Sequence, residues 1–347
     1  MKILLTGHKG YLGAIALHEL LNAGFDVTGL DTEFYSDGVL YRHPVLDSAI
    51  PSIKKDVRKI TADDVKGFDA IVHLAELSND PLGNRFVDAT YSVNHEGTMH
   101  LARLAKQAGA KRFVYYSSCS VYGASDQIAD ETSPVNPLTP YAKCKILNEQ
   151  ELSKIADQNF SPVYLRNATA FGASPYMRFD VAVNNLTGKA WVTKEIKMDS
   201  DGSPWRPFVH AKDIAQAVIC ALNAPKEAIH NEIFNVGSND GNYQIRDVAN
   251  IIGKHMPDCV VTFNKDAVDK RNYRVNFNKI NTKLPGYKAT ITVEDGVKEL
   301  LAILKDVNMD KATFEAKPFT RLSKLEHLVN EGHVDKDLHW VKERQAA

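Results

Sequence analysis

The segment that most constrains this chain is Thr6-Gly7-His8-Lys9-Gly10-Tyr11-Leu12-Gly13, which joins a short apolar run at residues 2–5 to a helical pattern over residues 12–23. Glycines at this spacing suit a strand-turn-helix junction whose backbone must come close to a ligand phosphate. Gly7 permits the tight turn, Gly10 lets the backbone approach a pyrophosphate, and Gly13 lets the helix press on the sheet. The helix start adds oriented N–H groups and about half a positive charge. Glycine triplets are common in loops, so context decides: a strand precedes, a helix follows, and Asp31 closes the next apolar run 18 residues after Gly13. A carboxylate there accepts hydrogen bonds from ribose hydroxyls and repels a 2′-phosphate, which predicts NAD rather than NADP. His8 and Lys9 pull the other way, because cations in this loop can pair with a 2′-phosphate. Their ordinary role would be exposed loop charge.

Short apolar runs at residues 27–31, 70–74, 112–117 and 163–166 alternate with helical patterns at 94–108 and 141–156. Continuous apolar strands between amphipathic helices mark a parallel sheet buried on both faces. Right-handed crossovers then predict an α/β, doubly wound parallel-sheet Rossmann fold. After Gly172 the rhythm breaks into segments rich in Asn, Pro and Asp. Residues 1–168 are therefore assigned to the NAD-binding domain, with the chain returning to it at about 207–237. Residues 169–206 and 238–347 are assigned to a smaller C-terminal substrate-binding region. Its charged, helical tail from residue 305 ends in Leu338-His339-Trp340, expected to pack on the body or on a partner.

The formal net charge is −1, with 42 basic against 43 acidic residues. No surplus of cations is available for a nucleic-acid backbone. Cys119, Cys144, Cys220 and Cys259 show neither a C-x-x-C pair nor zinc spacing; they read as reduced thiols of a cytoplasmic protein, and no metal is expected. The N-terminus runs straight into the glycine loop rather than a cleavage site, and no run approaches a spanning length, so neither a signal peptide nor a membrane span is expected.

A second constellation carries chemistry. Tyr141 and Lys145 lie four apart in a helical pattern after Pro137 and Pro140, hence on one face. A tyrosine with a pKa near ~10 is a poor base at neutral pH, and lowering it to about 7 takes roughly 4 kcal/mol of preferential phenolate stabilisation. A lysine ammonium at contact, at an effective dielectric of ~20, supplies several kcal/mol. Alone, Tyr-x-x-x-Lys is most often an amphipathic helix. It gains force from Ser117-Ser118-Cys119-Ser120, which follows an apolar strand at the carboxyl edge where such sheets bind ligands. Ser118 is placed to hydrogen-bond a reacting hydroxyl or carbonyl; its ordinary role would be to cap a turn.

Taken together, residues 6–13, Asp31, Asp56-Val57, His73-Leu74-Ala75, Asn94, Ser118 and Tyr141/Lys145 resemble the extended short-chain dehydrogenase/reductases, specifically the NAD-dependent nucleotide-sugar epimerase/dehydratase family. The resemblance runs from Met1 to about Leu304. It implies that Gly7, Gly10, Tyr11, Leu12 and Gly13 hold the pyrophosphate and that Asp56 and Val57 flank the adenine. Leu74 and Ala75 would line the cofactor, Asn94 would support the site, and Tyr141 and Lys145 would meet the nicotinamide ribose. Asn167 and Thr169, in Arg166-Asn167-Ala168-Thr169, replace the aromatic-Asn run of the epimerases at positions that touch cofactor and substrate. Asn185, Leu186, Arg206 and Arg271 match substrate-contacting segments, the arginines because a planar fork suits diphosphate oxygens. A surface charge is the ordinary reading of each arginine. The implied partner is a nucleoside-diphosphate sugar and the implied assembly a homodimer through the helices near Asn94 and Tyr141.

Family members that dehydrate the sugar usually place acidic residues just after the serine or threonine; here those positions hold Cys119 and Ser120. The pattern resembles the 4-epimerases, in which Tyr141 would take the proton of the sugar 4-hydroxyl and a transient 4-keto sugar would turn over in the pocket. A net C4 dehydrogenase/reductase using the same three residues is the alternative. A non-catalytic dinucleotide-binding regulator is disfavoured by the intact Tyr/Lys pair, although fold alone does not fix function.

Overall fold

Seven runs of the chain pair side by side as β1 Lys2–Thr6, β2 Asp26–Asp31, β3 Ser52–Lys54, β4 Ala70–His73, β5 Arg112–Ser118, β6 Ser161–Asn167 and β7 Glu232–Val236. The computed structural model describes residues 1–198, 200–264 and 272–341. All seven strands are parallel, in the order β7-β6-β5-β4-β1-β2-β3. The order reverses between β1 and β4, so the crevice of a doubly wound sheet opens at their carboxyl ends. Every residue of β4 and β6 is buried, as a sheet covered on both faces demands.

Alternate side chains divide between two cores. Ile3, Leu5, Val72 and Val114 pack with the helices Tyr11–Asn22 and Ala211–Asn223 on one face. Leu4, Ile71, Phe113 and Tyr115 pack with Thr98–Gln107 and Pro140–Ile155 on the other. The period of two along each strand dictates this split. A third core gathers Phe171, Phe179 and Phe208 with the helices Ala182–Thr193, Ile245–His255 and Val293–Asp306, and forms the second region.

Three details differ from the sequence reading. Strand Trp205–His210 does not rejoin the large sheet. It pairs in parallel with Thr169–Phe171 and antiparallel with Asn242–Gln244, so the return begins only at Ala211. The helix expected at 94–108 begins earlier, at Val87, and passes through a π-helical turn, Ser92–Gly97, before Thr98–Gln107. β3 was not expected, because Ser-Ile-Lys offers one apolar side chain at a sheet edge. The tail packs on the body: Trp340 Nε1 donates to the Thr32 carbonyl at 2.9 Å, its ring lies 5.5 Å from Phe34, and Arg58 donates to the carbonyls of Asp337 and Leu338.

Candidate active site

Every site residue read from the sequence except Asn94 and Arg271 lines one cavity of about 1100 Å³ at the carboxyl edge of the sheet. Arg271 lies outside the described residues. Asn94 is fully buried behind the wall, where its amide accepts from Leu77 N at 2.8 Å and donates to Leu77 O at 2.9 Å. It braces the loop after β4 instead of facing a ligand.

The glycine loop is as tight as its sequence requires. Gly7 has φ +78°, and a Cβ there would stand 3.0 Å from Ala75 N. A Cβ on Gly13 would stand 1.9 Å from the Gly7 carbonyl oxygen, an impossible contact. Beyond the loop, Asp31 accepts backbone N–H groups from Lys9 at 2.9 Å and Glu33 at 2.7 Å, one on each oxygen. Each oxygen keeps acceptor capacity toward the cavity.

The two cations that pull toward a 2′-phosphate are both withdrawn. His8 is 4 % exposed, not loop charge; its ring fills the space over Gly29 and lies 3.0 Å from Ser52 Oγ. Burial pushes the imidazole pKa down, so it is neutral. Lys9 pairs with Glu33, which also meets Lys54 at 3.3 Å. Asp56 caps the turn Val57–Lys59 by accepting from Arg58 N, and the Arg58 guanidinium holds its carboxylate at 2.6 Å.

Across the switch point, Thr139 caps the helix Pro140–Ile155 and Pro140 opens it, a start that needs no N–H from the proline. This sets Tyr141 in the first turn with Lys145 one turn on, its Nζ 5.2 Å from the Tyr141 ring centre. The Ser118 hydroxyl, which accepts from Ser120 N at 3.1 Å, stands beside the Tyr141 phenol in the cavity wall. Burial raises the pKa of Tyr141, while the Lys145 charge and the Ser118 hydroxyl pull it down. Burial lowers the pKa of Lys145, but Glu76 and Tyr141 more than restore it, so the ammonium stays charged. Lys145 is 3 % exposed, pairs with the Glu76 carboxylate and donates to the Tyr116 carbonyl.

On the second region's side, Asn167 donates to the Ser117 carbonyl at 3.3 Å, and its Oδ1 has no partner among the described residues. A buried acceptor left open at a cavity wall is a place for a ligand donor. Asn185 donates to Phe179 O at 2.6 Å, and Arg206 lies over the Tyr273 ring at 5.5 Å. Arg166, in β6, is clamped by Glu149 of the helix at 3.0 and 2.6 Å, and Glu149 also accepts from Ser117 Oγ at 2.5 Å. That buried junction fixes the ends of β5 and β6, and with them Ser118 and Asn167, which face each other in register.

Sequence reasoning missed Glu76, Arg178 and Arg321 in the cavity wall. Arg178 donates to Asp180 and to both the hydroxyl and carbonyl of Ser78, a hundred positions away. Arg321 stacks on Tyr35 at 4.2 Å, and burial with the neighbouring Arg178 charge lowers its pKa to about 10, still cationic at neutral pH. Neither arginine sits in a local pattern; folding alone brings them to the cavity wall. Glu76 follows the His-Leu-Ala run directly, and its sequence signal is a charge beside an apolar strand end.

Residues 3–237 match the NAD dependent epimerase/dehydratase family. The chain belongs to that family. Its cofactor is NAD, and it is an NAD-dependent nucleotide-sugar enzyme. Among relatives, the Bifunctional protein GAL10 of Pachysolen tannophilus is 28% identical over 333 residues, covering 86% of this chain and 48% of that protein. The chain thus spans about half the length of that relative. The UDP-glucose 4-epimerase of Bacillus subtilis is 26% identical over 299 residues, 74% of this chain and 84% of that one. A solved UDP-glucuronic acid 4-epimerase from Bacillus cereus, in complex with UDP-glucuronic acid and NAD, superposes with a TM-score of 0.78 at 24% identity. The superposition covers 88% of this chain and 100% of that one, and shows that the fold is shared. Among the described residues, no helix is long and apolar enough to cross a membrane, and no cluster of His, Cys, Asp and Glu could hold a metal.

Proposed function

We propose that this enzyme is a C4 epimerase of a nucleoside-diphosphate sugar. The observation that carries the reading is the group Ser118, Tyr141 and Lys145 with no carboxylate beside Ser118. Cys119 is fully buried and donates to the Arg166 carbonyl, and Ser120 follows it. The lining carboxylates all have partners elsewhere: Asp31 the loop amides, Asp56 Arg58, Glu76 Lys145, Asp80 Thr139 and Asp180 Arg178. Among the described residues, no lining carboxylate is free of such a partner to move the second proton that a dehydration needs.

In this reading the glycine loop takes the pyrophosphate, Asp31 the adenosine ribose, and Asp56 and Val57 flank the adenine. Tyr141 and Lys145 meet the nicotinamide ribose. NAD, when bound, supplies the hydride acceptor and gives the hydride back. Tyr141 removes the proton of the 4-hydroxyl, held by the Ser118 hydroxyl and the Lys145 charge as a local base. The 4-keto sugar then turns in the cavity, and Tyr141 returns its proton when the opposite face is reduced. Asn167, Thr169, Asn185, Leu186, Arg206 and Arg271 hold the nucleotide and sugar. A homodimer through the helices near Asn94 and Tyr141, in the cytoplasm, completes the proposal.

The test is a screen of nucleotide sugars against the purified protein, with stereochemical analysis of the product. An epimerase inverts C4 without net change in NADH absorbance. Stoichiometric accumulation or consumption of NADH would refute the reading. Tyr141→Phe should lower turnover by about 10²–10⁴-fold while NAD stays bound; a fully active variant would refute the role of Tyr141.

A further inference from the structure

Glu76 stands where the chemistry described so far has no use for it. It follows β4 at the carboxyl edge, lines the cavity, and is buried, with 3 % of its side chain exposed. One oxygen accepts from the Tyr115 hydroxyl at 2.7 Å, and the other pairs with Lys145. Tyr115 is itself held, because Asn148 donates to its oxygen at 2.8 Å. The Lys145 ammonium is thus bound from two sides, by a carboxylate beyond β4 and by the Tyr116 carbonyl of β5.

We propose that Glu76 is a positioning residue of the catalytic centre, which anchors the Lys145 ammonium at the sheet edge and offsets the charge that Lys145 presents to Tyr141. The inference rests on Tyr141 being the base of the proposed reaction. Charge governs the effect, so all the groups facing the pair matter. Tyr141 is faced by Lys145 on its own helix, by Ser118 of β5, by Glu76 and by Asp80. Tyr141 in turn acts on Tyr115 of β5, helping to raise its pKa. Lys145 is faced by Glu76, Tyr141, Cys144 and the buried His73 of β4. Burial holds His73 neutral, its pKa lowered to about 3, and burial holds Cys144 as a thiol, its pKa raised to about 12. Burial raises the pKa of Glu76, while the Lys145 charge and the Tyr115 hydroxyl pull it back toward the ionised form; among the described residues it is the carboxylate paired with the ammonium that serves Tyr141, and Asp80 acts on Tyr141 as well.

Glu76→Gln removes the charge and keeps an acceptor for Tyr115. The phenolate absorbance of purified protein, titrated in Glu76→Gln and in Glu76→Gln/Tyr141→Phe, isolates the Tyr141 step without any sugar. Its midpoint should fall by about one pH unit, a tenfold rise in phenolate below the midpoint. The acid limb of kcat/KM should move down with it. Glu76→Asp retracts the charge by one methylene, and its midpoint should fall part-way. A midpoint that stays or rises in either variant overturns the proposal; the Asp variant alone decides if the Gln variant does not fold. The titration is blind to the reaction, so failure of the epimerase reading shows separately, in the sugar screen.

Discussion

The buried pair Arg166–Glu149 gives the most exacting test of how the site is held. Both side chains are 5 % exposed, so water screens little of the interaction. The guanidinium donates twice to the carboxylate, at 3.0 and 2.6 Å, and once to the Tyr122 hydroxyl at 3.0 Å. In Glu149→Leu the guanidinium keeps only Tyr122 among these partners, and an uncompensated buried charge costs about 3–5 kcal/mol. Arg166→Met strands the carboxylate with the Ser117 hydroxyl and costs a similar about 3–5 kcal/mol. The double variant leaves no charge behind, so it should be less destabilised than the sum by about 3 kcal/mol or more. Urea unfolding followed by tryptophan fluorescence, on all four proteins, yields the coupling directly. Because Ser118 and Asn167 sit at the ends of the strands this pair ties together, each single variant should also bind ADP-ribose more weakly. Additive stability losses would refute the idea that one ion pair joins helix and strands as a unit.

Other tests reach different parts of the molecule. Gly13→Ala places a carbon within 1.9 Å of the Gly7 carbonyl oxygen, and overpacking of this kind costs about 1–3 kcal/mol or more; the purified variant should carry less NAD, as measured after heat release, and normal retention would contradict the close approach of loop and helix. Glu299 binds His210 at 2.9 Å, the Ala173 amide at 2.8 Å and Lys212 at 3.1 Å. Burial raises its pKa, but His210 and these other partners win and lower it to about 2. A depressed folded-state value means the stabilisation is present above the unfolded value and lost as pH falls through the folded one. Glu299→Gln should therefore be less stable than the parent at pH 7, by about 3 kcal/mol at most, with the gap closing between about pH 4.5 and 2. A constant gap in acid unfolding would contradict it.

The Rossmann half was legible because its signals are local. β1, the glycine loop and its helix are contiguous, and Tyr141 and Lys145 share one helical turn. Parallel strands announce themselves by apolar runs, which is why β4 and β5 stand out and β3, with one apolar residue, does not. The return expected at about residue 207 comes later, at Ala211, because a strand's composition does not say which sheet receives it. His8 is the instructive error: a histidine in a polar-looking loop is buried because Gly29, on the neighbouring strand, leaves room for its ring. Glu76, Arg178 and Arg321 acquire their partners only through contacts between distant segments, and no spacing rule reaches across 100 residues or more.

The docked tail has a bearing on how the protein comes to be made. Trp340 closes against Thr32, 308 residues upstream, and Arg58 reaches the carbonyls at 337 and 338. Translation at about 5–20 residues per second separates the emergence of these partners by roughly 15–60 s. Throughout that interval the cavity wall around Thr32 and Phe34 lacks its outer brace. The earlier segment thus waits on the later one, and a nascent chain released before residue 340 presents a crevice that is open on that side.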